Sequence, residues 1–192
     1  MSFPAPMIRR RSLIAAPAAL LPASALAQPA VTRTRTAHDP AVPPPPGPAA
    51  TRVHARRQTN ELTILDESGA IHTFRAAFGR AEGPKQRRDD ERTPVGDYTL
   101  HPARHSPRWR WFHPVDYPNR IDVEEGARRG LTRFQLGDEI GIHGYGSWPP
   151  IDLVAGHGMG WNWTAGCVAV SHEEIEIVRR LVQRPVPLRL DP

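Results

Sequence analysis

The chain has 192 residues, room for one domain of ordinary size and too little for two. Its formal charge of +5 invites a nucleic-acid partner. However, Arg9, Arg10 and Arg11 supply three of those charges, and later arginines are interleaved with acids, as in Arg87-Arg88-Asp89-Asp90-Glu91-Arg92. No basic stripe with interleaved aromatics remains to follow a phosphate backbone, so nucleic acid is set aside.

In chain order, residues 1–27 read as an export signal. Arg9 to Arg11 form a positive start, an apolar run extends from Leu13 to Leu21, and Ala25-Leu26-Ala27 is a small-x-small cleavage site. The apolar run is too short to cross a bilayer and is broken by Pro17, so no stable membrane span is expected after cleavage. Arg10-Arg11-Ser12-Leu13-Ile14 also fits a twin-arginine signal, which leaves the export route open. Residues 28–55 read as a linker: seven of the chain's 22 prolines lie here, above all Pro43-Pro44-Pro45-Pro46, and favour extended polyproline conformation over a core.

The folded domain is expected over residues 56–192. Residues 61–65 alternate like a strand, Glu67-Ser68-Gly69 is a turn, and 71–78 is a second strand, together a hairpin. Tyr98-Thr99-Leu100 is a short strand. Residues 101–135 read as irregular, with Trp109, Trp111, Phe112 and Tyr117 as packing anchors and one or two helical turns ending at Gly130. Residues 139–143 and 167–170 read as strands. Ser171 followed by Glu174 is a capping box, which opens a helix with Ile175, Val178, Leu181 and Val182 on one face and an end before Pro185. Residues 186–190 make a last strand, assigned to a sheet edge because Pro187 interrupts it. The pattern predicts a mainly β domain with a short late helix.

The single cysteine, Cys167, excludes an internal disulfide framework. A lone thiol is a liability in an exported protein, so it is either a small buried hydrophobe or a reactive group. A thiol nucleophile needs a base and donors for the oxyanion it creates. In Thr164-Ala165-Gly166-Cys167 the amides of Gly166 and Cys167 are candidate oxyanion donors, and Gly166 permits an unusual backbone angle. Three histidines compete for the base. His143 ends a strand before Gly144, His157 lies in Gly156-His157-Gly158, and His172 sits in a first helical turn. His143, His157 and Cys167 match no standard zinc spacing, and no Gly-x-Ser-x-Gly elbow is present.

These segments in this order resemble the L,D-transpeptidase catalytic domain. Ile142-His143-Gly144 is similar to the family's His-Gly after a strand, and Thr164-Ala165-Gly166-Cys167-Val168 to its Ser/Thr-x-Gly-Cys. Thr93-Pro94-Val95-Gly96-Asp97-Tyr98 is similar to its Thr-Pro-x-Gly-x-Tyr/Phe. Gly83-Pro84-Lys85, Tyr117-Pro118-Asn119 and Trp163-Thr164-Ala165-Gly166-Cys167-Val168-Ala169 resemble one subgroup, and the likeness covers residues 58–191. Two departures stand out: Ala169 replaces an arginine common in the family, and the loop between His143 and Cys167 is long.

The resemblance implies an L,D-transpeptidase-like β-sandwich with Cys167 as nucleophile and His143 as base. Gly166 and Cys167 amides would form the oxyanion site, and no metal or organic cofactor would be needed. It implies peptidoglycan stem peptides as the partner, attacked at an L,D amide through a Cys thioester, and a periplasmic or wall-associated location. Gly144, Thr164, Trp148 and Trp163 are candidate substrate contacts, although the tryptophans of the loop serve packing equally well. Lys85 and Arg92 read as solvated surface charge before carboxylate contacts. Two alternatives to transfer stay open: hydrolysis of peptidoglycan peptides or of protein–peptidoglycan links on the same fold, and a non-catalytic wall-binding module.

Overall fold

The computed structural model describes residues 47–146 and 162–192. The expected signal, most of the linker, Trp148, His157 and Trp161 lie outside these residues.

The first strand, β1 (Ala50–Arg56), occupies the end of the stretch assigned to the linker. Ala50, Val53 and Ala55 turn into the core there, but two alanines and a valine among Thr, Arg and His make a faint signal. It pairs antiparallel with β2 (Glu61–Asp66), which pairs with β3 (Ile71–Arg75) to form the expected hairpin. Asp66 holds that turn: its buried carboxylate accepts the amides of Ser68 and Ala70. Later strands β4 (Gly96–Leu100) and β9 (Val186–Asp191) complete a five-stranded sheet of order β3-β2-β1-β9-β4.

That order corrects the placement of the last strand. β9 lies inside the sheet, parallel to β1 and antiparallel to β4. Pro187 is tolerated because pairing with β1 starts only at Leu188, so that flank is free at the residue lacking an amide proton.

Between β4 and the histidine strand the chain is more regular than its composition suggests. It forms β5 (Arg104–Ser106), β6 (Arg110–Pro114), α1 (Arg120–Arg128) and α2 (Arg133–Leu136). Asn119 caps α1 in a reciprocal box with Asp122. With β7 (Gly141–Gly144) and β8 (Val168–Val170), β5 and β6 form a second, four-stranded sheet of order β5-β6-β7-β8. The late helix α3 (His172–Leu181) starts at the Ser171–Glu174 box and buries Ile175, Val178 and Leu181.

One hydrophobic core joins the two sheets and α3. It contains Val53, Leu62, Ile64 and Leu188 from the first sheet, Trp111, Ile142, Val168 and Val170 from the second, and the buried face of α3. The fold is thus mainly β and sandwich-like, with short helices.

Candidate active site

Strand β7 delivers His143 and β8 follows Cys167. The two strands are parallel and in register, with Ile142 opposite Val168 and His143 opposite Ala169. Ile142, Val168 and Val170 point into the main core, whereas Ala169 and Tyr145 belong to a small cluster with Ala77 on the other face. By alternation His143 shares that second face, and Cys167 immediately precedes β8.

His143 is almost fully buried, at 2% exposure. The Trp109 ring stacks on it at 4.2 Å between centroids, Phe112 lies parallel at 6.1 Å, and Trp163 meets it edge-on at 6.3 Å. Its Nδ1 is 2.7 Å from the carbonyl oxygen of Gly144. A carbonyl can only accept, so Nδ1 carries the proton and Nε2 keeps its lone pair. Burial pushes the imidazole down to about 4, the Arg108 charge adds to this, and the Gly144 bond opposes it. At neutral pH His143 is therefore an uncharged ring that carries its proton on Nδ1.

Cys167 is half-buried. It borders a cavity of about 250 Å³ whose walls include Lys85, Arg88, Asp138, Glu139 and Ala165. The thiol donates to the Glu139 carbonyl oxygen at 3.5 Å. Burial raises the thiol to about 11; Glu139 adds to this, while a hydrogen bond from the Gly141 amide and the Lys85 charge oppose it. The lone cysteine is thus a protonated thiol at rest.

The turn before Cys167 is held by its own side chain. Thr164 Oγ1 donates to the Cys167 carbonyl at 2.7 Å and accepts the Gly166 amide at 3.1 Å. This corrects two expectations. Thr164 is 3% exposed and organises the turn instead of facing substrate. The Gly166 amide is already engaged, which leaves the Cys167 amide as the oxyanion candidate of the expected pair. Gly166 is required for another reason: its φ is +137°, and a Cβ there would stand 2.7 Å from the Arg92 carbonyl oxygen. Asn162 anchors the segment from behind, its Oδ1 accepting from Asn60 and from the Phe78 amide.

Gly144 is also buried, and its part is to orient the imidazole through its carbonyl, not to line the cavity. A side chain there would strike the Trp109 carbonyl oxygen at 2.8 Å. Trp163 packs beside His143, Trp109 and Tyr145. Lys85 is not a solvated surface charge: its side chain is 3% exposed and paired with Asp90 at 2.9 Å. Tyr98 is core, at 6% exposure. His172 accepts the Gly146 amide through Nε2 at 3.0 Å, a structural use of its ring. Sequence reasoning treated Trp109 and Phe112 as packing anchors and had no signal that both rings lie against His143. It likewise took Glu139 for a strand residue, although its φ of +55° places it in the left-handed region before β7.

A two-sheet, mainly β domain with a histidine on one strand and a cysteine just before the parallel strand beside it defines a recognisable class. Residues 50–187 match the model of the L,D-transpeptidase catalytic domain, YkuD, and the chain belongs to that family. The helical cell shape determining protein Pgp2 from Campylobacter jejuni has a similar structure, with a TM-score of 0.54 and 24% identity over 73% of this chain and 47% of that one. L,D-transpeptidase 3 from Mycobacterium tuberculosis, in complex with a faropenem-derived adduct, gives a TM-score of 0.51 and 17% identity over 76% of this chain and 61% of that one. This chain therefore spans about half the length of the first and three-fifths of the second. Comparison with curated protein sequences gives no match.

Proposed function

We propose that this protein is an exported peptidoglycan L,D-transpeptidase that works through a Cys167 thioester with His143 as base. The observation that supports the reading is the β7–β8 register, which sets His143 opposite Ala169, two residues after Cys167, while the Gly144 bond puts the imidazole proton on Nδ1 and burial keeps the ring neutral. Family membership supports the reaction class.

Nε2 of His143 takes the thiol proton as sulfur attacks the carbonyl carbon of an L,D amide in a stem peptide. The new oxyanion faces the Cys167 amide. Collapse breaks the C–N bond, the imidazolium proton goes to the departing amine of the D-residue, and a thioester remains. An acceptor amine then forms a new amide and frees the thiol; water in its place yields a carboxylic acid. Burial raises the thiol to about 11 and lowers the imidazole to about 4, so either charge alone is disfavoured. Thiolate and imidazolium must form together, each offsetting the other's lost hydration.

The purified protein and its Cys167→Ala variant, incubated with wall-derived tetrapeptide fragments and read by mass, test this. Cross-linked dimers made only by the wild type support transfer; shortened monomers would assign hydrolysis to the same thiol. Fragment binding without turnover in either protein would indicate a wall-binding module. Equal turnover by the variant would sink the thiol mechanism. A covalent carbapenem adduct on the wild type alone is the supporting mass signature.

A further inference from the structure

We infer that Glu139 is a positioning residue for Cys167: its carbonyl accepts the thiol hydrogen bond in the resting protein, and its carboxylate, countered by Arg104, sets the charge beside the sulfur. The inference rests on the reading of Cys167 as the nucleophile.

The short link from α2 to β7 has an unusual backbone. Gly137 has φ +92° and Glu139 has φ +55°, so two of three successive residues are left-handed. Glycine adopts that region without penalty, whereas glutamate does so only when its surroundings enforce it. Ion pairs flank the link on both sides. Asp138 pairs with Arg88 Nη2 at 2.9 Å, and Glu139 with Arg104 Nη2 at 2.6 Å. Immediately beyond, the Ile140 carbonyl accepts the Val115 amide at 3.0 Å, locking the start of β7. The Glu139 carbonyl faces Cys167 Sγ at 3.5 Å.

A thiol has one proton. While Glu139 accepts it, His143 cannot be its acceptor, and the pair rests as neutral thiol and neutral imidazole. The same arginine reaches the imidazole side of the site, since Arg104 lies 4.9 Å over the Phe112 ring that is parallel to His143. Strand β5 thereby ties the Glu139 carboxylate to the aromatic wall of the base. The charged groups lining the cavity beside the sulfur are Lys85, Arg88 and Asp89 from the loop before β4 and Asp138 and Glu139 from the link. Burial chiefly keeps the thiol protonated, and the Glu139 carboxylate, with Arg104 as its counter-charge, adds to this. Loss of the Glu139 contact on substrate entry is the step that lets the proton reach His143.

The two partners predict opposite effects on one observable. The full chain, its Glu139→Gln variant and its Arg104→Ala variant are alkylated with iodoacetamide across pH, with adduct read by intact mass. Glu139→Gln removes a negative charge beside the sulfur, so the alkylation midpoint falls by roughly half a pH unit and labelling at neutral pH speeds up about threefold, a small change because the carboxylate is solvated. Arg104→Ala leaves that carboxylate uncompensated, so its midpoint rises. Unchanged midpoints in both variants, or shifts in the same direction, overturn the inference. The carbonyl contact has its own signature. The chain has one cysteine, so its S–H stretching band in the infrared is unique, and it falls below the frequency of the denatured chain. A band at the denatured frequency overturns the contact. Neither readout needs turnover, so these outcomes are independent of whether the protein transfers or hydrolyses.

Discussion

The two faces of the four-stranded sheet each bury a histidine, and the pair is instructive. His113 on β6 stands opposite Ile142 on the face that meets the main core, while His143 on β7 stands opposite Phe112 on the other face. Both are essentially inaccessible. Both donate from Nδ1 to a backbone carbonyl, His113 to His101 and His143 to Gly144. Burial pushes both down to about 4. Yet the Nε2 of His113 is sealed without a partner, with Arg179 on the helix side opposing any positive charge. His143 instead lies among aromatic rings on the opposite face, on the strand beside the one that follows Cys167. Burial and a displaced titration do not make a site; the same chemistry becomes useful only where a reactive partner can reach it.

The largest expected contrast is in activity. His143→Gln should lower turnover by about a thousandfold, the usual worth of a positioned base, whereas His113→Leu should leave turnover within a few-fold of wild type. Steady-state kinetics on peptidoglycan fragments would decide, and equal losses in the two variants would erase the distinction between the faces. Next comes the turn that presents the thiol. Gly166→Ala combines a φ of +137° with a Cβ 2.7 Å from the Arg92 carbonyl oxygen. It should cost about 3 kcal/mol in urea unfolding and slow carbapenem adduct formation.

The pH dependence then tests what the faces share. A histidine near 4 when folded and about 6.5 when unfolded binds more protons in the unfolded chain. Stability is therefore fully present above about pH 6.5 and declines as pH falls toward 4, by up to about 3 kcal/mol for each ring. Urea midpoints from pH 7.5 to pH 4.5 should fall less steeply in His113→Leu and in His143→Gln than in wild type. A slope that neither variant changes would place the acid sensitivity elsewhere. The smallest effect belongs to the core-side helix. Ser171→Ala removes the cap that accepts the Glu174 amide and should cost about 1 kcal/mol, with thiol alkylation unaltered.

What was legible along the chain follows from the range of the forces involved. The hairpin of β2 and β3 and the capped helix α3 are written in short-range signals: alternation, a turn with Gly69, and a serine three residues before a glutamate. Strand β1 was hidden because Val53 and Ala55 are its main inward apolar residues, and the neighbours that make them a strand lie ten and more than a hundred residues away. β5 and β6 were hidden for a related reason. Aromatic residues at 109–117 suit either a loop packed on a core or a strand, and pairing with β7 decides between them.

The chain by itself determined the motifs: His143-Gly144, Thr164-Ala165-Gly166-Cys167, and the Thr-Pro segment before β4. Those are local chemistry, and their order is enough to point to the family that residues 50–187 match. Tertiary structure alone decided the assignments within them. The Gly166 amide went to Thr164, Lys85 went inside to Asp90, the Gly144 carbonyl took the imidazole proton, and the Glu139 carbonyl took the thiol proton. Each of these is a choice among several acceptors or donors within reach. That choice depends on backbone direction and burial, which no residue carries in its own identity and which only the packed sheets supply.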